Sequence, residues 1–161
     1  MAVRRIGYDR HTGALVNGEI PDTAIDIGLW DKWVIFSMIT LASWYEPGNW
    51  RGRLMRISYT AGRQKGLRKS VYDWGVISCL IPTWDLVKAF RTGQVAQDEY
   101  VRTYLELLRQ RWEVVDEWLH SLVPEEDLTL LCHEREGEFC HRQLVSPLVT
   151  EHRPDIDVVL R

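Results

Sequence analysis

The chain has 161 residues, 45% hydrophobic and 27% charged, which fits one globular domain with its own core and excludes a disordered or fibrous protein. A formal charge of −3 gives the whole chain no cationic excess for coating nucleic acid. Three cysteines, an odd number behind an N-terminus (Met1-Ala2-Val3-Arg4-Arg5) with no apolar signal core, argue against a disulfide framework and leave thiols for chemistry or metal.

The longest apolar run, residues 33–45, is too short to span a bilayer, so the expectation is a cytoplasmic protein with no membrane partner. No internal repeat or low-complexity tract is visible. Charge is nevertheless polarised: Arg51, Arg53, Arg56, Arg63, Lys65, Arg68 and Lys69 occur without an acidic residue among them, whereas residues 113–127 are dominated by Asp and Glu.

Residues 1–29 alternate short β-like stretches with turn signals at His11-Thr12-Gly13 and Asn17-Gly18, which predicts an N-terminal hairpin extension. Residues 34–41 are β-branched and aromatic and read as a buried strand, and residues 54–59 as a second. The second runs into Ala61-Gly62-Arg63-Gln64-Lys65-Gly66, a loop with two glycines and two cations. A third strand is expected within residues 71–78.

Thr83 is a good N-cap, with Asp85 in the first turn and Gly93 as a stop, so residues 84–92 read as a short helix. One long helix is expected over residues 96–121, where Val101, Tyr104, Leu105, Leu108, Trp112, Val115, Leu119 and Leu122 recur at threes and fours. Residues 128–132 have the length and apolarity of an interior strand, and a polar loop follows. Cys140-His141-Arg142 then opens a helix that Pro147 should shorten or kink, and residues 157–160 close the chain as a strand. These elements predict one compact α/β domain over residues 30–161, with a small, mostly parallel sheet flanked by helices.

The chemistry concentrates in Cys132-His133-Glu134-Arg135-Glu136-Gly137-Glu138-Phe139-Cys140-His141-Arg142. A strand end followed by a helix N-terminus is where open parallel sheets bind ligands, and the unpaired N–H groups there lower a thiol's pKa and attract anions. Cys140 is the candidate nucleophile, His141 the acid/base, with Cys132 beside them, and Arg142 offers a planar fork for phosphate. The spacing is not the Cys-x5-Arg of a phosphatase loop. Three other readings stay open. The cysteines may be taken as small core residues, as zinc ligands together with His133 and His141 despite a gap longer than a zinc knuckle's, or as a redox pair, which needs Cα atoms within about 7 Å. Cys79, beside Leu80 and Ile81, reads as a core thiol, and His11, His120 and His152 receive no role.

In the basic stretch, Arg63, Lys65 and Arg68 are candidates to hold phosphate or nucleic acid. Trp50, Tyr59, Tyr72 and Trp74 lie among the cations, a combination that suits base stacking beside a cationic groove.

With these pieces in place, the chain resembles the domain of unknown function 488 family. The resemblance is carried by Pro82-Thr83-Trp84-Asp85-Leu86, by Glu99-Tyr100-Val101-Arg102-Thr103-Tyr104, and above all by Leu130-Leu131-Cys132-His133-Glu134 followed by Phe139-Cys140-His141-Arg142. It spans residues 30–161 and leaves residues 1–29 as an extension. It implies a compact α/β domain with the cysteine loop at the sheet's edge, and a link to nucleic-acid processing. The family usually has an aromatic or small residue where His133 stands. The resulting expectation is an enzyme acting on nucleic acid, a nucleotide or another phosphorylated small molecule. The alternative is a non-catalytic nucleic-acid or protein-binding module with a Cys/His zinc site.

Overall fold

The computed structural model describes residues 6–8, 15–17, 38–60, 74–123 and 125–161. The chain divides into two units, Met1–Ile35 and Phe36–Arg161. In the first, β1 (Ile6–Tyr8) pairs antiparallel with β2 (Leu15–Asn17), Ile6 opposite Asn17 and Tyr8 opposite Leu15. The expected turn at His11-Thr12-Gly13 lies outside the described residues.

The second unit is an α/β fold around one sheet. Its strands β3 (Met38–Ser43), β4 (Arg53–Arg56), β5 (Trp74–Val76), β6 (Leu128–Cys132) and β7 (Asp157–Leu160) are ordered β5-β4-β6-β3-β7, and all pair in parallel. β6 lies at the centre, and all five of its residues are buried. That explains its unbroken apolar sequence, because a strand covered on both faces has no reason to alternate. Leu128, Leu130 and Cys132 face one core, with Ile39, Leu41 and Ile57. Leu131 faces a smaller one built from Ala42, Trp44, Trp50 and Leu54. Each fully buried leucine contributes about 2 kcal/mol of transfer free energy, so the centre of the sheet is also its best-anchored part.

Four helices follow: α1 (Trp84–Arg91), α2 (Gln97–Gln110), α3 (Trp112–Ser121) and α4 (Arg142–His152). Apolar residues of all four (Leu86, Tyr104, Leu108, Val115, Leu119, Val145, Val149) join the larger core. Thr83 caps α1 as its sequence predicts, its hydroxyl accepting from the Leu86 N–H at 3.3 Å.

Several boundaries differ from the sequence reading. β3 extends to Ser43, because pairing Ala42 with Leu131 and Ser43 with Cys132 recruits residues of weak intrinsic β preference; residues 34–37 lie outside the described residues. β4 ends at Arg56, short of the expected Tyr59, and β5 ends at Val76, two residues before the expected Ser78, which instead opens a 3-10 turn (Ser78–Leu80).

The single helix expected over 96–121 is two. Arg111 has φ −103° and ψ 18°, outside the helical region, and its guanidinium donates to the Ile81 carbonyl at 2.8 Å. That tertiary bond leaves no trace in helical periodicity. Of the predicted stripe, Tyr104, Leu108, Val115 and Leu119 are buried, while Leu105 and Trp112 are exposed and Tyr100 takes a buried place instead. α4 starts at Arg142, two residues past Cys140, and runs through Pro147 to His152. Pro147 removes one N–H from the ladder, but Val145 and Val149, on either side of it and both fully buried, hold the helix to the sheet. Among the described residues no helix is long and apolar enough to cross a membrane.

Candidate active site at the end of the central strand

Period-two alternation sorts the residues where β6 ends. Cys132, in phase with Leu130, points into the larger core. His133 lies in the bend just past the strand, where its Nε2 is 2.8 Å from the Thr60 carbonyl and 2.9 Å from the Thr60 hydroxyl. Residues 133–139 then lead to Cys140 at the mouth of α4. The cysteine loop thus leaves the carboxyl edge of the sheet, at its central strand.

This geometry brings together three of the four residues proposed as metal ligands. Ligand atoms of Cys132, Cys140 and His141 all lie within 4.8 Å of one another. His133 is not among them; its Nε2 is held at Thr60. The three cysteines are free thiols. Cys132 and Cys140 are 1% and 3% exposed, and their sulfurs lie 2.9 Å apart. Cys79 packs in the larger core, where burial pushes its thiol up.

His141 is oriented by one hydrogen bond. Its Nε2 lies 2.8 Å from the Ile57 carbonyl. A carbonyl only accepts, so Nε2 carries the proton and Nδ1 is turned to the sulfurs, 3.7 Å from Cys132 and 3.7 Å from Cys140. The Arg142 N–H, at the start of α4, lies 3.5 Å from the Cys140 sulfur and adds the positive end of the helix.

The two thiols diverge electrostatically. Burial pushes Cys132 well up, reinforced by its hydrogen bonds to Cys140 and Glu134. Burial acts the same way on Cys140, but its hydrogen-bond contact with the Cys132 sulfur and the charge of His141 outweigh it and bring Cys140 down to about 6. Burial alone would lower His141, yet the Cys140 charge and hydrogen bond raise it. The shifts within the pair run toward a thiolate on Cys140 and an imidazolium on His141, while Cys132 is held toward its protonated form.

Glu134 completes the arrangement, and the sequence reading assigned it no role. Its Oε2 accepts from the Cys132 thiol at 3.0 Å and its Oε1 pairs with Arg91 at 3.3 Å. Burial works to raise its carboxyl, but the hydrogen bond from the Cys132 thiol, with the charge of His141, overcomes that and holds it at about 2. Glu134 stands two residues beyond Cys132 in the bend that follows the strand, which strand periodicity does not describe.

Arg142 is 1% exposed and its guanidinium turns back onto the loop, donating to the Glu134 carbonyl at 2.7 Å and the Arg135 carbonyl at 3.1 Å. The fork read in the sequence as an anion holder here braces the segment between the cysteines. Arg63, Lys65 and Arg68 lie outside the described residues.

The site opens upward through a cleft lined by Ser58, Tyr59, Thr60, Trp84, Arg91 and Phe139, among others, with both cysteines, His133, Glu134 and His141. Space wide enough for water amounts to about 30 Å³, room for one or two molecules.

Fold and site together define a parallel α/β domain with a buried thiol–imidazole cluster at the carboxyl end of its central strand. Residues 39–153 match the model of the family DUF488-N3a, described as the active DUF488-N3 subclade. The chain belongs to that family, in agreement with the resemblance carried by its cysteine motif. No curated protein and no solved structure matches the chain significantly.

Proposed function

We propose that the protein is an enzyme that uses Cys140 as a nucleophile on a nucleotide or nucleic acid, with His141 as its acid/base partner. The observation that carries this reading is the facing pair itself: Cys140 Sγ lies 3.7 Å from His141 Nδ1 while Nε2 is tied to the Ile57 carbonyl, on the floor of a cleft. A nucleophile, a base within reach of it and a third group orienting the base are the parts of thiol covalent catalysis. Cys140 attacks an electrophilic centre; the His141 imidazolium hands its proton to the leaving group and regains one from the water that releases the product. The family's description as an active subclade supports an enzymatic role. Arg63, Lys65 and Arg68 enter this reading as phosphate ligands on the strength of sequence alone.

Wild-type protein incubated with nucleoside phosphates and short single-stranded oligonucleotides should release a modified product, and brief reaction followed by acid quench should leave adduct mass on Cys140. Cys140→Ser should abolish both. Undiminished turnover by Cys140→Ser removes the nucleophile assignment.

One observation favours a second reading, a zinc-holding binding module: His141 presents Nδ1 to two sulfurs while its other nitrogen is held by a carbonyl, as second-shell bonds hold metal-ligating histidines. The sulfur–nitrogen spacing suits tetrahedral zinc. The sulfur–sulfur contact of 2.9 Å does not, since Zn–S bonds of about 2.3 Å place two ligands about 3.8 Å apart, so the thiols must part to admit the ion. Cys132, Cys140 and His141 would be the protein ligands. Elemental analysis separates the readings. About one zinc per chain, reduced at least tenfold in Cys132→Ser, supports the module; protein purified without metal and still active on its substrate removes it.

A further inference from the structure

The cleft above Cys140 carries two features that the thiol chemistry does not use. One is an aromatic pair at its mouth. Tyr59, just beyond β4, and Trp84, the first residue of α1, lie with ring centroids 5.2 Å apart and planes at 33°. Both line the cleft, yet they are 48% and 44% exposed. Large aromatic side chains with nearly half their surface in water forgo much of their burial energy, and here two of them do so together. Their backbones are well held. The Arg56 guanidinium donates to the carbonyls of Ser58 and Tyr59, and Trp84 sits in a helix turn capped by Thr83.

The other feature is Arg91, two turns further along the same face of α1 and lining the same cleft. Its side chain is half exposed, and among the described residues its guanidinium has one partner, the Glu134 carboxylate at 3.3 Å. A guanidinium has five N–H donors in a planar fork, so most of them remain directed at solvent over the cleft.

We propose that Tyr59, Trp84 and Arg91 form a subsite for a single nucleotide, its base stacked on the aromatic pair and its phosphate on the guanidinium, above the Cys140 thiol. The narrowness of the floor sets the depth of binding. The whole cleft holds only about 30 Å³ of water-sized space, so a purine or pyrimidine ring cannot descend to the sulfur. The ring lies on the rim, and only a substituent reaches down. The aromatic face tolerates any base, because every base has a π-face, while the cation selects for phosphate. A base paired within a duplex has no free face for this platform, so the ligand is a free nucleotide or an unpaired residue of a single strand. The proposal rests on the reading of Cys140 as a nucleophile toward nucleotides and assigns the groups that recognise the substrate.

Equilibrium dialysis of the full chain against the common nucleoside 5′-monophosphates, their nucleosides and ribose 5-phosphate tests the subsite. Monophosphates should bind more tightly than either nucleosides or ribose 5-phosphate. Trp84→Ala should weaken monophosphates and nucleosides about tenfold, the scale of one base stack, and Trp84→Phe should restore most of the loss. Arg91→Gln should remove the preference for monophosphate over nucleoside and leave nucleoside binding unchanged. Monophosphate binding that matches ribose 5-phosphate, or that is indifferent to Trp84→Ala, overturns the proposal, as does no binding at all.

The failure of the subsite and that of the nucleophile read out differently. Cys140→Ser should bind nucleotide as the wild type does, so a subsite that survives while Cys140→Ser turns over normally sinks only the nucleophile. Loss of Trp84 dependence with an intact Cys140 adduct sinks only the subsite.

Discussion

Ultraviolet titration of chelator-treated protein at 240 nm should show one thiolate forming with an inflection near pH 6, and Cys140→Ser should lack that step. The wavelength reads thiolate directly, so the burial of Cys140 does not limit the measurement. The sign follows from its neighbours. Burial alone would move the step upward, but the Cys132 hydrogen bond and the His141 charge favour the ionised sulfur by more. A thiol at about 6 is about 90% ionised at pH 7, against about 3% for one at an ordinary 8.5, roughly a thirtyfold gain in nucleophile.

Cys140 protonates as pH falls through about 6, which ends the ion pair on the acid side. On the alkaline side the pair lasts until His141, itself raised, gives up its proton. Cys132 should contribute no step near neutrality, because burial and its role as donor both push it up. His141→Gln leaves burial opposed chiefly by the Cys132 hydrogen bond. Its step should rise by more than about one pH unit, and the thiolate present at pH 7 should fall severalfold. A wild-type step at pH 8.5 or above, unmoved by His141→Gln, would show that the facing geometry does not ionise the thiol.

Gly52→Ala should be among the most destabilising single substitutions in the sheet, by about 3 kcal/mol or more in chemical denaturation. Gly52 has φ +60°, in the left-handed region that costs an L-residue about 1 kcal/mol or more, and an added Cβ would fall 1.9 Å from the Asp127 carbonyl oxygen and 2.4 Å from its carbon. Backbone cannot rotate aside as a flexible side chain can, so β4 and the start of β6 must separate. The contacts at risk are specific: the Arg53 N–H donates to the Asp127 carbonyl at 2.9 Å, and the Arg51 N–H to the Thr129 hydroxyl at 2.7 Å. Those bonds set the register that carries β6 out to Cys132, so the thiol step should broaden or shift in whatever Gly52→Ala protein folds.

Gly93 supplies the control. It has φ +71° but nothing within 4 Å of an added Cβ, so Gly93→Ala should show the conformational term alone, about 1 kcal/mol. Equal effects at the two positions would mean that the approach to Asp127 carries no energy of its own.

Much of the site was legible in the chain because its signals are local. The apolar run ending at Cys132 reads as an interior strand, Thr83 reads as a cap, and the motif from Cys132 to Arg142 reads as a strand end meeting a helix start; the structure has all three. The roles of individual side chains were less legible. Arg142 has the chemistry of an anion holder, yet the loop carbonyls at residues 134 and 135 occupy it. His133 is a good zinc ligand by type, yet its ring nitrogen is held at the Thr60 carbonyl. Composition cannot tell a ligand from a brace, because the difference lies in which acceptor is nearest in space.

The Cys140–His141 feature illustrates where each level of information ends. By itself the sequence determined that two thiols, two imidazoles and two guanidinium groups occur within eleven residues at the end of a buried strand, because hydrophobic run length and turn chemistry are properties of neighbouring residues. Only the tertiary structure decided which of them act together. The Ile57 carbonyl, 84 residues away along the chain, sets the face that His141 presents. Arg91, 43 residues from Glu134, anchors the carboxylate beside Cys132, and Tyr59 meets Trp84 over the cleft. Parallel pairing of β4 with β6 brings those distant segments to one end of the sheet, and no local pattern encodes that register.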